Sequence, residues 1–293
     1  MGKIYDGIMG LVVGDALGVP FEFKSRDTFT ATDMTGYGTY NQPPGTWSDD
    51  SSMTLATLES IVRKGGIDPV SIMDNFCRWL CHGEYTPYGK VFDVGRTTER
   101  AIMQYIMEDN NPLYCGGKSV TDNGNGALMR ILPVALVSHT GADVKRVGQL
   151  THAHEISQTA CQLYCYAVDK YGLIPDMKAA IRDLGRLAVV HYSTDFNRPS
   201  RLEDLSRDEI KSTGYVVDTL EAALWCVLKT DSYRDCVLTA VNLGEDTDTV
   251  AAVAGGLAGI AYGCGGAQGI PDEWIAQIPR REWIGELCGK LEN

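Results

Sequence analysis

Apolar residues recur at three- and four-residue intervals along much of the chain, the spacing that gathers them on one stripe of an α-helix. In "SSMTLATLESIVRKGG" the stripe is Met53, Leu55, Ala56, Leu58, Ile61 and Val62. It stops at Gly65 and Gly66, which predicts a helix closed by a glycine C-cap. "EISQTACQLYCYAVDKYG" sets Ile156, Ala160, Leu163, Tyr164 and Ala167 on a second stripe that ends at Gly172. "TGYVVDTLEAALWCVLKT" repeats the pattern with Val216, Leu220, Ala223, Leu224 and Val227. "YRDCVLTAVNLG" followed by "DTVAAVAGGLAGIAYG" predicts helix, turn, helix around Gly244. Alternation of apolar and polar residues, the mark of a half-buried strand, is nearly absent. The pattern predicts an all-α protein whose helices lie close enough to meet through Ala and Gly. Two irregular stretches, about 24 to 46 and about 192 to 212, are of the length that functional or mobile loops have.

Composition narrows this picture. A chain of 293 residues can bury a sizeable core, and no linker divides it, so a single compact domain over 1–293 is expected. The formal charge of −12 excludes an electrostatic grip on nucleic acid or an anionic membrane, which needs a basic face. "MGKIYDGIMGLVVGDALG" has acidic residues and glycines inside its apolar run and is a poor signal peptide. "AAVAGGLAGIAYG" is too short to span a bilayer. Nine cysteines without a secretion signal read as reduced thiols, which places the protein in the cytoplasm. Cys77 with Cys81 and Cys161 with Cys165 have helical i,i+4 spacing but no His at ligand spacing, so buried structural thiols are expected.

Two acidic motifs carry candidate chemistry. "WSDDSSM", residues 47 to 53, places Asp49 and Asp50 side by side just ahead of a predicted helix. "NLGEDTDTVAA", residues 242 to 252, puts Glu245, Asp246 and Asp248 in one turn ahead of an Ala-rich helix. Carboxylates at a helix entry can serve as N-caps. Capping uses one oxygen, however, and each motif offers at least three. Hard divalent cations take carboxylate and hydroxyl oxygens, and Ser48, Asp49, Asp50, Asp246, Asp248 and Thr249 together make such a set. An EF-hand is excluded, because counting from Asp246 the sixth position is Ala251 and the twelfth Leu257. In "DNGNGALMR", residues 122 to 130, Gly124 and Gly126 let the backbone approach a ligand. Apolar residues after them suggest a helix start whose N–H groups cradle a phosphate, although a plain Asn-Gly turn fits equally. "THAHE", residues 151 to 155, does not make a zinc site, since His152 and His154 two apart on a helix point to nearly opposite sides. Thr151 reads as an N-cap, with His152 reaching a ligand or a neighbouring backbone group.

"GDALGVPFEF", "WSDDSSM", "NGNGALMRILP", "THAHE", "TGYVVDTLEAALW" and "LGEDTDTVAAVAGGLAGIAYG" follow one another in an order that resembles the ADP-ribosylglycohydrolase family. The group includes the dinitrogenase-reductase-activating glycohydrolase. The likeness runs from about Ile4 to Tyr262, and the two acidic motifs are specific to it. It implies an all-α fold around a binuclear centre of two Mg²⁺ or Mn²⁺, with Ser48, Asp49, Asp50, Asp246, Asp248 and Thr249 as ligands. It places a flap carboxylate at Glu22, a substrate-side Asp at Asp93 in "FDVGRTT", and diphosphate contacts at Gly124, Asn125 and Gly126. His152 falls on the substrate side. Ser48 stands where relatives often have Thr, and Arg96 where some have Asn.

The implied activity is metal-dependent hydrolysis that removes ADP-ribose from a modified protein, with Glu22, Asp50 and Asp93 as catalytic carboxylates. Glu22 or Asp50 is expected to act as base. Tyr215 falls where arginine-directed members set a Tyr against the guanidinium, so the expected bond is to arginine. A core aromatic is the bland alternative for Tyr215. ADP-ribosyl-serine, free ADP-ribose derivatives, and a non-catalytic ADP-ribose-binding or structural role are the competing readings. A monomer is expected.

Overall fold

The computed structural model describes residues 2–108, 111–191 and 194–292. Among these residues there are thirteen α-helices: α1 (Lys3–Gly18), α2 (Asp49–Lys64), α3 (Pro69–His82), α4 (Arg96–Glu108), α5 (Leu132–Ala135), α6 (Gly141–Gly148) and α7 (Glu155–Leu173). They continue with α8 (Met177–His191), α9 (Val216–Lys229), α10 (Tyr233–Val241), α11 (Thr247–Tyr262), α12 (Asp272–Ile275) and α13 (Arg281–Glu292). Short 3₁₀ turns join them, and the only extended pairings among the described residues are isolated bridges.

Local chemistry sets the helix ends. Helix α2 starts on Ser48, whose Oγ accepts from the Asp50 amide, and stops on left-handed Gly65, whose amide donates to the Ile61 carbonyl. Asp49 and Asp50 stand in its first turn and Arg63 and Lys64 in the last, in accord with the helix dipole. Helix α7 runs one residue past the expected Gly172. Its N-cap is His154, whose ring accepts from the Ile156 amide, and not Thr151 as the sequence suggests. The Thr151 hydroxyl is taken up elsewhere, by Arg130 and His152.

The centre of the fold is the contact of α1 with α11, the most extensive between any two helices, with α2, α10 and α13 packed around α1 and α9 and α10 against α11. Gly10, Gly14 and Gly18 are four residues apart and so share one face of α1. A Cβ on Gly14 would stand 2.2 Å from the Ala251 carbonyl oxygen, and one on Gly18 2.3 Å from the Asp248 Cα. The two backbones therefore touch. This explains why Lys3–Phe21 has a mean hydropathy of 1.3 and length enough to cross a membrane: 83% of it is buried inside the protein. It also fixes the position of Asp15 on α1 relative to Asp248 in the first turn of α11.

The two irregular stretches are tied to that same turn. Phe23 donates to the Glu245 carbonyl at 2.7 Å, and Glu245 to that of Lys24 at 2.8 Å. The Arg26 guanidinium donates to the carbonyls of Leu243, Arg207 and Ile210. Residues 194–212 form 3₁₀ turns, among them Pro199–Asp204 and Arg207–Glu209, and residues 192 and 193 of the expected loop lie outside the described residues. All nine cysteines are thiols. Six are buried, while Cys77 and Cys264 are partly exposed and Cys81 fully so, which departs from the expectation of uniformly buried thiols.

Candidate metal centre and active site

The two acidic motifs, far apart in sequence, converge at the junction of α1, α2 and α11. Trp47, fully buried with its Nε1 donating to the Tyr85 carbonyl, fixes the approach to α2. The free amides at the start of α2 are then satisfied mainly from another helix. Asp15 of α1 accepts from the Ser48 amide at 2.9 Å, the Ser51 amide at 3.0 Å and the Ser51 hydroxyl at 2.5 Å. Capping thus falls to Ser48 and Asp15, and Asp49 and Asp50 are not needed for it. On α11, Asp246 stands at the N-cap and accepts from Asn125 Nδ2 at 2.9 Å, while Asp248 accepts from the Thr249 amide at 2.9 Å. Glu245 is exposed and turned away.

Carboxylate oxygens of Asp15, Asp50 and Asp248 lie within 4.8 Å of one another, and so do those of Glu22, Asp93 and Asp248. The two triads share Asp248. Buried oxygens of Glu22, Asp50, Asp246 and Asp248 have no hydrogen-bond partner. Among the described residues no Lys, Arg or His forms an ion pair with any of these carboxylates or with Asp49. Burying uncompensated carboxylates is costly, and here they also repel one another. Burial, then the neighbouring charges, drives the titration upward. Glu22 is pushed up to about 9 by burial and by Asp93, and Asp93 to about 6 by burial and Asp246. Asp15 rises to about 6 through burial. Asp49, Asp50 and Asp248 rise well above the carboxylate range, and Asp246 rises as well. An all-oxygen donor set with orphaned buried oxygens and no cation of its own fits a hard divalent metal.

A cleft of about 450 Å³ opens beside this cluster. Glu22, Asp49, Asp93, Asp246 and Thr249 face it, whereas Asp50 and Asp248 lie behind its wall. Gly124, Asn125, Gly126 and His152 form another part of the lining, with Arg96 at the start of α4. The glycine loop does not open a full helix. It makes a single 3₁₀ turn over Asn125–Ala127, and the next helix, α5, is a four-residue piece with Pro133 in its first turn. The helix start suggested there is therefore absent, and the Asn125 amide is used on the Gly214 carbonyl at 3.1 Å. The Asn125 side chain grips Asp246 and Thr219. Glycine at 126 has a steric reason, since a Cβ there would meet His152 Cε1 at 2.8 Å and Thr98 Oγ1 at 2.9 Å.

The two histidines use their Nδ1 atoms on different partners: His152 on the Thr151 hydroxyl, His154 on Asn123 and the Ile156 amide. Tyr215 is 37% exposed at the start of α9, bridged to Gly124, and next to cleft-lining Gly214, so it is not a core aromatic. The sequence reading missed Asp15, although a lone carboxylate between apolar residues in "GLVVGDALG" is its signal. It also missed Tyr40, whose hydroxyl lies close to both Glu22 and Asp93 and offsets part of their shifts. No local pattern marks Tyr40, which arrives from the irregular stretch.

Comparison with known proteins adds a second line. The ADP-ribosylglycohydrolase family model matches residues 1–293. An ADP-ribosylarginine hydrolase Tri1 from Serratia proteamaculans (strain 568) is 33% identical over 294 residues, covering 99% of this chain and 78% of that protein. The ADP-ribosyl-(dinitrogen reductase) glycohydrolase of Rhodospirillum rubrum is 34% identical over 282 residues, 92% of this chain and 88% of that one. Human ADP-ribosylhydrolase ARH3 is more distant, at 23%. A solved structure described as an ADP-ribosylglycohydrolase-related protein complex superposes with a TM-score of 0.79 at 30% identity, over 99% of this chain and 96% of that one.

Proposed function

The chain belongs to the ADP-ribosylglycohydrolase family, and from that premise we propose that it is a hydrolase that removes ADP-ribose from ADP-ribosylated arginine on protein. The observation that carries this reading is the buried carboxylate cluster beside the cleft, with orphaned oxygens and no cationic side chain. Ser48, Asp49, Asp50, Asp246, Asp248 and Thr249 would hold two Mg²⁺ or Mn²⁺, and Asp248 belongs to both carboxylate triads. When bound, such ions supply positive charge against the cluster and the Lewis acidity that makes water nucleophilic near neutral pH.

The chain's own residues supply the rest. Of the two candidate bases, Glu22 faces the cleft and Asp50 does not. The Glu22 Oε2 has no protein partner and its side chain lines the cleft, which is the placement a carboxylate needs to take the proton of the attacking water. Water adds to the anomeric carbon, the C–N bond breaks with its electron pair leaving on the guanidino nitrogen, and the proton taken by Glu22 restores the guanidinium. The transition state has oxocarbenium character, as in other glycoside hydrolysis. Asp93 and Asp49 line the same cleft as Glu22, where ionised carboxylates would offset that developing charge.

The arginine side is supported at Tyr215. Asp195, Asp218 and Glu221 all act on its phenol, so a guanidinium laid on the ring would meet an acidic surround. A cation on an aromatic face contributes about 0.5–2 kcal/mol. The acidic chain with its free thiols is proposed to work in the cytoplasm. The experiment is release of ADP-ribose from arginine-linked and serine-linked substrates, with and without Mn²⁺. Arginine-selective, metal-dependent release is expected. Release from serine alone would overturn the specificity, and no release from either would overturn the enzyme reading.

A further inference from the structure

Arg130 is fully buried, yet among the described residues no carboxylate pairs with it. Its guanidinium lies on the Phe76 ring at 4.8 Å, and burial pushes its pKa down to about 10. Its Nη1 donates to the Val147 carbonyl at 3.2 Å and its Nη2 to the Thr151 hydroxyl oxygen at 2.5 Å, while its Nε has no partner. That hydroxyl lies 2.8 Å from His152 Nδ1. No other partner of the Thr151 side chain exists among the described residues, and Thr151 is completely buried.

These contacts decide where the protons sit. A guanidinium can only donate, so the Thr151 oxygen is an acceptor toward Arg130. If His152 Nδ1 carried a proton, the oxygen would accept from it too, and the Thr151 proton would be a buried donor without an acceptor. Such an orphan costs about 1–3 kcal/mol, enough to favour the alternative by roughly fivefold to a hundredfold. In the alternative, Thr151 donates to an unprotonated Nδ1 and its hydroxyl is satisfied both as donor and as acceptor. The ring is held neutral, because burial and the charge of Arg130 push its pKa down to about 3. Its proton then resides on Nε2. Nε2 has no partner among the described residues, His152 lines the cleft, and Nε2 is 3.4 Å from where a Cβ on Gly124 would stand. The backbone of the segment is clamped, with Gly117 donating to Thr151, Ala153 to Gly117, and Gln158 Nε2 to the His152 carbonyl.

We propose that Arg130 and Thr151 are positioning residues that lock His152 in the Nε2–H tautomer, so that the cleft presents a neutral N–H donor to an oxygen acceptor of the ligand beside the Gly124–Gly126 loop. The ligand half of this rests on the reading of the cleft as the ADP-ribose site; the tautomer half does not. The test begins with long-range ¹H–¹⁵N correlation spectra of the wild-type protein labelled at histidine, His152 being assigned by its loss in His152→Gln. An Nε2–H pattern at neutral pH is expected, shifting toward a mixture in Thr151→Val and restored in Thr151→Ser. In the kinetics of ADP-ribosyl-arginine cleavage, Thr151→Val should raise KM roughly tenfold, the value of about one hydrogen bond, with kcat changed less. Thr151→Ser should restore KM. A wild-type His152 that is protonated on Nδ1, or a tautomer unmoved in Thr151→Val, overturns the lock. A moved tautomer with unchanged KM overturns the role toward ligand. A wild-type protein that cleaves nothing overturns the functional reading, while the spectra still decide the tautomer.

Discussion

Replacing Asp248 by Asn separates the electrostatics of the cluster from its shape. Asp248 belongs to both carboxylate triads, one of its oxygens is a buried orphan, and Glu22 and Asp50 are the charges that press on it most. Its other oxygen accepts from the Thr249 amide, a bond the Asn carbonyl can keep. The new amide nitrogen would donate toward carboxylates that the native side chain repels, a change worth about 1–3 kcal/mol. At roughly 2–4 °C per kcal/mol for a chain of this class, the metal-free variant should melt a few degrees above metal-free wild type. A ligand at a hundred times its Kd stabilises the folded state by about 2.7 kcal/mol, so Mn²⁺ should raise the wild-type Tm by roughly 5–10 °C. The variant should lose most of that rise and its turnover, so the order of the two melting curves reverses on adding metal. Thermal unfolding with chelator and with Mn²⁺ reads both effects. A variant that melts below wild type without metal, yet keeps the full Mn²⁺ shift, would refute the reasoning.

Three further outcomes are expected. Gly18→Ala drives a Cβ into the Asp248 backbone and should cost about 1–3 kcal/mol along with metal affinity, whereas Gly66→Ala, with open space around it, should leave urea midpoints and metal titration nearly unchanged; equal effects would sink the close-contact argument. Asp15→Ala strands the Ser48 and Ser51 amides and should cost about 2–5 kcal/mol by urea denaturation, and a neutral result would show that α2 is capped by other means. Glu221, whose Oε1 is a buried orphan beside Arg198, is pushed up to about 7 by burial. Because the folded pKa lies above the ordinary 4.5, its contribution to stability is full below about pH 4.5 and is lost as pH rises through about 7. Glu221→Gln should therefore gain on wild type between about pH 5 and about pH 8, and parallel stability curves would contradict the shift.

Helices α2, α7, α9, α10 and α11 were legible because their apolar stripes and stops are local. The stripe of Met53 to Val62 with Gly65 defines α2 almost to the residue. The acidic motifs were legible as chemistry because capping takes one oxygen and each motif offers at least three, and in the fold Ser48 and Asp15 do the capping of α2. What the chain order hides is tertiary. Asp15 matters only because α1 and α11 touch through Gly14 and Gly18. The full helix suggested after "NGNG" does not form there: the loop makes one 3₁₀ turn, and the next helix is a four-residue piece with Pro133 in its first turn. Thr151 looks like an N-cap by type and position, yet a buried arginine twenty-one residues away in sequence claims its oxygen.

The account stands or falls on whether the cluster around Asp50, Asp246 and Asp248 binds metal. Anomalous diffraction from crystals grown with Mn²⁺ is the direct measurement: two peaks are expected within the cluster formed by Ser48 to Asp50 and Asp246 to Thr249. Well-ordered crystals with no peak there, or with manganese bound only at other surfaces, would contradict it.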